Sequence, residues 1–549
     1  MNRTLENRFY YLDNFHTVVT WVRDRHAALL DGEEQAFIER FLALEQPSRA
    51  LLVRMVMRKG ELFRSGKLRY EEIGDTRLAA APLVRAGWVD ERPPLTLDEL
   101  FCLLTRAEID GLFRDALPGR AARKAEQLEA LRAVYPGARC FDAWHPASGE
   151  CVYRLQLSAL CDRLRLLFFG NLHQDWSEFV LSDLGITRYE KVEFSVSSQA
   201  FHNRADVDAY LHLWRCRERL DAGEDADAVL ADLPPAPYEN DWLEQRRRKF
   251  LFQAAQQHER AQQWEKALAL YAGLRHPGAR IRQIRMLERI GDDAAAFALA
   301  RSASAAPESE AESQQLLRML PRLQRRLGHP KTPARQPAPA ERIDLCLPQP
   351  RSAYCVEELV RAHLARADAP ACYVENTLIN SLFGLLCWDA VFAAVPGAFF
   401  HPFHSGPADL HAADFAARRK TQFDACFAAL ESPLYKDIIR QRFRDKAGIQ
   451  SPFVFWDVLD APLLELALDC IPAAHLRKWF ERMLQDIRAN RAGFPDLIQF
   501  YPREKRYRMI EVKAPGDRLQ DNQVRWLEYC AAHGMPVAVC RVQWLEDGA

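Results

Sequence analysis

Close to the C-terminus of this 549-residue chain, within GFPDLIQFYPREKRYRMIEVKAPGD, an aspartate at 496 precedes the triplet Glu511, Val512, Lys513. Two carboxylates, a backbone carbonyl and an ammonium suit phosphodiester hydrolysis around a hard divalent cation. Asp496 and Glu511 would hold the cation, beside which a bound water becomes more acidic and charge on the phosphorane is neutralised. Lys513 would orient the nucleophile or stabilise the transition state. The letters alone form a loose pattern that recurs by accident, so the surrounding elements must carry the case.

A β-hairpin is the element required. DLIQFY and RYRMIEVK are strand-like, PREK reads as the turn, RLQDNQVRWLEYCAAHG as an amphipathic helix ending at Gly534, and PVAVCRV as a short buried strand. With the turn centred between Arg503 and Glu504, Asp496 falls opposite Glu511, where Cβ atoms stand roughly 4.5 to 5.5 Å apart. Lys513 shares a face with Glu511, and the Val512 carbonyl offers a fourth oxygen. Ile498 and Met509 lie on the same face, so the acids adjoin an apolar surface where unpartnered charge is costly. The plain alternative makes Asp496 and Lys513 strand-end charges and pairs Glu511 with Lys513 or an arginine.

A third acid, Glu375, stands in CYVENTLINSLFGLLCWDAVF. A helix there places Glu375 on the stripe of Leu378, Ile379, Leu382, Leu385 and Leu386. Metal ligation and a simple helix N-terminal carboxylate both explain it.

The rest of the chain reads as mostly helical and multidomain. Residues 1–66 form an N-terminal helical region, in which Leu51, Leu52, Met55, Val56 and Phe63 recur at helical spacing. Residues 67–225 mix helices with short strands, and 95–133 read as two helices joined at Pro118 and Gly119, with Arg114, Arg120, Arg123 and Lys124 around the turn. Residues 226–327 read as a tetratricopeptide-like helical array, 328–340 as a proline-rich linker, and 341–549 as a separate α/β domain. The net charge of -1 gives no whole-molecule attraction to nucleic acid, but from Arg246 to Arg289 eleven lysines and arginines face only Glu259, Glu265 and Glu288. Thirteen cysteines without a C-x-x-C pair argue against a disulfide framework or zinc knuckle and suit a reducing cytoplasm. No signal core and no membrane-length apolar run is present.

Taken together, Glu375, the F-P-D at Asp496 and the E-V-K ending at Lys513 resemble the VRR-NUC branch of the PD-(D/E)xK nucleases. LLVRMVMRKGELFRSGKLRYEEIGD, the helices at 95–133, the array and ENTLINSLFGLLCWDAVF resemble, in that order, the Fanconi-associated nuclease family over nearly the whole chain. The resemblance implies a SAP-like DNA-binding region at 67–225 and a restriction-endonuclease-like C-terminal domain. It further implies a structure-selective nuclease that uses Mg²⁺ or Mn²⁺ on 5′ flaps, branched or crosslinked duplex, with 5′ to 3′ exonuclease activity and a place in interstrand crosslink repair. Its metal-binding acids fall on Glu375, Asp496 and Glu511, its metal-binding carbonyl on Val512 and its catalytic lysine on Lys513. Arg280, Arg282 and Arg285 become candidates for a pocket holding the 5′-terminal phosphate. The ubiquitin-binding zinc finger of animal members has no counterpart here, so a compact bacterial version is expected, acting in the cytoplasm at the nucleoid, with a dimer on DNA left open. The competing readings are a Holliday-junction resolvase and a non-catalytic junction-binding scaffold.

Overall fold

The computed structural model describes residues 7–114, 116, 123–174, 176, 187–330, 340–348 and 355–545. Pro118, Gly119, Arg120 and the linker residues 331–339 lie outside this set. The chain divides into two compact units, Met1–Thr187 with Phe201–Val207, and Arg188–Ala200 with Asp208–Ala549.

The first unit is led by α1 (Tyr10–His26), α2 (Gly32–Ala43) and α3 (Gln46–Val56). Leu51, Leu52 and Met55 bury on α3 as their spacing predicts. Phe63 does not share that helix: α3 ends at Val56, Gly60 turns the chain at positive φ, and Phe63 enters the strand β1 (Leu62–Arg64). β1 and β2 (Val89–Asp90) both pair antiparallel with β3 (Val152–Leu155). Between them runs a helix, α4 (Thr76–Arg85). The first of the two helices expected at 95–133 is split into α5 (Leu97–Leu103) and α6 (Arg106–Leu112). Thr105 caps α6 with Glu108 in a reciprocal box, which restarts the helix where unbroken periodicity suggested continuity. The helix α7 (Lys124–Arg132) follows, and α8 (Ser158–Phe169) packs on α1. Arg64, part of a basic run, is buried between Glu108 and Glu150 at 2.6 and 2.8 Å.

In the second unit, the array is a run of helices, α9 (Asp241–Arg260), α10 (Trp264–Tyr271), α11 (Ala279–Ile290), α12 (Asp293–Ala305) and α13 (Glu310–Arg326), each packed on the next. Small residues make this close: Ala296, Ala300 and Ala303 of α12 meet Ile281 and Ile284 of α11 and Leu316 and Leu323 of α13.

The C-terminal part is built on a five-stranded mixed sheet in the order β4-β8-β7-β6-β5. These strands are β4 (Glu341–Pro348), β5 (Ala371–Tyr373), β6 (Leu497–Tyr501), β7 (Arg506–Lys513) and β8 (Val537–Leu545). Helices α14 (Val356–Leu364), α15 (Leu378–Leu386), α16 (Ala473–Gln485) and α17 (Asp521–Ala532) surround it. The hairpin β6–β7 has the register read from the sequence: Leu497 faces Ile510 and Ile498 faces Met509. Its turn is the short 3-10 segment Pro502–Glu504, closed by Lys505 at φ 50°. β7 and β8 are parallel and are joined through α17, so the β-α-β arrangement is present. β8 is longer than the short buried strand expected, because it also pairs in parallel with β4, an element not anticipated. β4 is an edge strand with mostly exposed side chains, and such a strand leaves little apolar alternation to read.

Both faces of this sheet are covered. Ile498, Phe500, Tyr507 and Met509 join the main core with α15, α16 and Trp526 of α17, while Leu497, Ile510 and Val512 pack with Val360 of α14 and Cys540 of β8. Leu378, Ile379, Leu382, Leu385 and Leu386 all bury on α15. Gly384 lets α15 lie against Phe453, whose Cβ would come within 2.7 Å of any Cβ added there.

The array is fastened to this core within the same unit. From α13, Glu310 pairs with Arg482, Arg318 with Asp521, and Gln314 accepts from Arg525 at 2.8 Å. Arg482 is almost fully buried and lies over the rings of Trp526 and Tyr529 at 4.4 and 4.1 Å.

Candidate active site

Asp496 stands one residue before β6, pinned on two sides. Its carbonyl accepts the Val374 N–H at 2.9 Å beyond the end of β5, and its Oδ2 accepts the Val512 N–H of β7 at 2.8 Å. The side chain therefore lies across the hairpin from Glu511, as the register demands. Glu511 is fully buried, and Lys513, two residues along the same strand, brings Nζ to 2.7 Å from Glu511 Oε1. The Lys513 ammonium meets Oε1, and Oε2 of Glu511 has no hydrogen-bond donor among the described residues.

Glu375 is placed differently from the expectation. It belongs to a turn between β5 and α15, not to the helix, which begins at Leu378. The polar triplet Glu-Asn-Thr cannot extend an apolar stripe, and Asn376 at φ 51° breaks the helical path. From this turn Glu375 Oε2 accepts the Tyr373 hydroxyl at 2.6 Å, and Oε1 accepts Asn376 Nδ2 at 3.1 Å.

The three acids feel one another. Burial pushes the Asp496 carboxyl up to about 6, with the charge of Glu375 adding to the rise and the Val512 N–H and Lys513 opposing it. Burial likewise pushes Glu511 up to about 7, reinforced by Asp496 and Glu375 and opposed by Lys513. Among the described residues, however, no three of His, Cys, Asp and Glu already form a closed metal cage. Like charges repel, and each acid is turned toward a protein donor: Val512 N–H, Lys513, or Tyr373 with Asn376.

A divalent cation fits this donor set. Glu511 is fully buried with Lys513 against Oε1, but its Oε2 has no partner among the described residues, which is costly unless a further positive charge meets it. The oxygen-only composition selects a hard cation.

The arginines proposed for a phosphate pocket do not converge. All three are on α11, but Arg280 forks onto Glu312 at 2.8 and 2.6 Å, Arg282 pairs with Glu259 at 2.6 Å, and Arg285 donates to Gln315 at 3.1 Å. A two-residue step on a helix turns side chains to opposite sides, so Arg280 faces α13 and Arg282 faces α9. Arg282 lines a groove of about 210 Å³ with Gln256, Glu259, Arg260, Trp264 and Arg289.

A second group of cations joins one member of the basic stretch, Lys249, to an arginine far away in sequence. Lys249 of α9 lies near Arg217, Arg246 and Arg488, and together with burial these hold its ammonium below its ordinary range. His276 is lowered chiefly by burial and also by Lys249 and Arg488. Among the described residues neither Lys249 nor Arg488 forms an ion pair with an acid. Arg488 precedes the Asp496 loop by a single short helical turn, Ile487–Asn490. No spacing rule links Lys249 to Arg488, so only folding could bring them together.

A mixed sheet with a buried acidic pair and a lysine at one hairpin defines the C-terminal part as an α/β nuclease domain of the PD-(D/E)xK kind. Comparison with known proteins agrees. Residues 9–90 match the family described as "FAN1, HTH domain", 94–144 the "Fanconi anemia-associated nuclease SAP domain", and 431–544 the "VRR-NUC domain". The "Fanconi-associated nuclease 1 homolog" of Pseudomonas aeruginosa is 59% identical over 544 residues, spanning 99% of this chain and 97% of that protein. The homolog from Arabidopsis thaliana is 25% identical, over 97% of this chain and 67% of its own length. The crystal structure of paFAN1 bound to 2nt 5′ flap DNA with gap superposes with a TM-score of 0.91 at 58% identity, covering 99% of this chain and all of that one. The complex with a 1nt 5′ flap gives 0.89. The chain belongs to the Fanconi-associated nuclease family.

Among the described residues no helix is long and apolar enough to cross a membrane.

Proposed function

We propose that this chain is a divalent-metal-dependent DNA nuclease that cleaves 5′ flaps near a free 5′ end, trims DNA 5′ to 3′, and acts in interstrand crosslink repair. The observation that carries this reading is the fully buried Glu511 carboxylate, with Lys513 at one oxygen, its other oxygen unpartnered among the described residues, and Asp496 beside it. Glu375, Asp496, Glu511 and the Val512 carbonyl would hold Mg²⁺ or Mn²⁺, which when bound acidifies water and neutralises charge on the attacked phosphate. Asp496 is held in place by the Val512 N–H, so its carboxylate keeps a fixed bearing on Glu511. Lys513 would donate hydrogen bonds to a phosphate oxygen or help orient the attacking water, and its ammonium stays near the site through Glu511. Flap DNA as the substrate draws support from the Pseudomonas relative, which was crystallised on such DNA. The spans 1–66, 67–225, 226–327 and 341–549 stand as our proposed division of labour, with DNA held by the first three. We place the protein in the bacterial cytoplasm, at the nucleoid when acting.

The deciding assay uses a labelled 5′-flap duplex and a four-way junction side by side, with Mn²⁺ or with EDTA. Incision of the flap near its 5′ end, only with metal, is expected. Symmetric cutting of the junction with untouched flaps would favour a resolvase, and binding without cleavage a scaffold.

For the free 5′ end we assign Lys249, His276 and Arg488 in preference to Arg280, Arg282 and Arg285. Among the described residues Lys249 and Arg488 have no acidic counterion, whereas Arg280 and Arg282 are already neutralised. Replacing both Lys249 and Arg488 by alanine is expected to raise KM for 5′-phosphorylated flaps roughly tenfold or more and to lower the salt slope by about 2. Hydroxyl-ended flaps should be affected less. An equal loss on both ends would reduce these residues to general backbone contacts.

A further inference from the structure

The turn that carries Glu375 and the loop that carries Asp496 come from distant parts of the chain, yet one side chain joins them. We propose that Asn376 is a positioning residue that sets Glu375 against Asp496, an inference that rests on the metal-site reading above. Its amide bridges the two segments. Oδ1 accepts the N–H of Gly493 at 2.7 Å and of Phe494 at 3.1 Å, and Nδ2 donates to Glu375 Oε1 at 3.1 Å. The same amide that aims the Glu375 carboxylate therefore anchors the backbone two residues before Asp496.

The residue type is dictated by this position. Asn376 stands at φ 51°, a left-handed conformation that asparagine tolerates better than most residues. Asn380, almost fully buried, repeats the link one helical turn on, its Nδ2 donating to the carbonyls of Asn376 at 2.6 Å and Arg491 at 2.8 Å.

The far side of the loop is equally confined. Gly493 has φ 96°, and a Cβ there would stand 2.9 Å from the backbone carbon of Asn522 in α17. Phe494 stacks on Trp526 at 4.1 Å, and the Trp526 indole N–H donates to the Ala492 carbonyl at 3.2 Å. With α17 fixing the loop from one side, Asn376 is what registers the Glu375 turn from the other. Groups that orient metal ligands in this manner typically change metal affinity 10- to 100-fold when removed.

The test measures Mn²⁺ binding to the full-length protein without DNA, by the electron paramagnetic resonance of free Mn²⁺, beside flap-DNA affinity in EDTA. Asn376→Gly keeps the backbone conformation and removes all three side-chain bonds. Asn376→Asp keeps an oxygen that accepts from both loop N–H groups but loses the Nδ2 donor to Glu375. Both variants are expected to bind Mn²⁺ about tenfold more weakly, the glycine variant by losing every side-chain bond and the aspartate variant by facing Glu375 with a second carboxylate where Nδ2 had donated, and both to bind DNA unchanged. Wild-type Mn²⁺ affinity in either variant would overturn the proposal, and the aspartate arm stands even if the glycine variant fails to fold. Glu375→Gln is the control that separates failures: if it too binds Mn²⁺ like wild type, Glu375 is no ligand and the metal-site reading has failed in place of the role of Asn376.

Discussion

Asp496→Asn should lower kcat on a 5′-flap duplex by roughly three orders of magnitude or more while leaving flap affinity in EDTA within about twofold. The amide oxygen can still accept the Val512 N–H, so the hairpin keeps its shape, but the charge that would draw a cation between Asp496 and Glu511 is gone. The same variant should be more stable than wild type in EDTA at pH 7.5. In the folded chain burial has raised this carboxyl to about 6, so ionising it there opposes folding, and an uncharged isostere escapes that cost. A gain in stability together with a loss of turnover marks a group kept for chemistry at the expense of packing. If cleavage persists within tenfold of wild type, Asp496 does not hold the cation. If turnover falls but stability in EDTA falls too, the residue is chiefly structural.

The second large effect concerns pH. Asp496 and Glu511, at about 6 and 7, both hold protons more tightly in the folded chain than in the unfolded one. Their contribution to stability is therefore fully present below about pH 4 and is lost as pH rises through the folded values, the loss being complete above about pH 7 to 8. A shift of about two units in each corresponds to about 3 kcal/mol apiece, and because the two acids are coupled the combined effect is on the order of 3 to 5 kcal/mol. Urea unfolding in EDTA between pH 5 and pH 8, compared with the Asp496→Asn, Glu511→Gln double variant, isolates this component from every other titrating group. The wild type should lose stability relative to the variant as pH rises, and millimolar Mn²⁺ should restore it by binding the ionised acids. Parallel pH profiles for the two proteins would mean that these carboxylates are not the electrostatically burdened pair described here.

How far the sequence could anticipate this site depended on the range over which each signal acts. The hairpin was legible because turn and strand alternation are local, and once the turn was centred at Arg503 and Glu504 the register, and with it the opposition of Asp496 and Glu511, followed. Glu375 was found as a residue but misplaced as to element. The leucine stripe of α15 drew the helix too far back, whereas Asn376 ends it by adopting a backbone angle that composition does not reveal. The β4 edge strand escaped notice because its outward side chains carry no apolar alternation. The grouping of cations was the least legible. Arginine density pointed to α11, but density is silent on counterions, and Glu312 and Glu259 lie on other helices that neutralise Arg280 and Arg282. Conversely, Lys249 and Arg488 are far apart in sequence and come together only through tertiary packing.

The fastening of α13 to α16 and α17 bears on how this protein can be dissected. Arg482 is sealed under Glu310 against two aromatic rings, so cutting the chain at the linker would strip the lid from a guanidinium that water does not otherwise reach. The C-terminal part is thus not an exchangeable cartridge. A duplication or fusion that borrowed it without the last array helix would inherit a wounded surface beside the helix that braces the Asp496 loop.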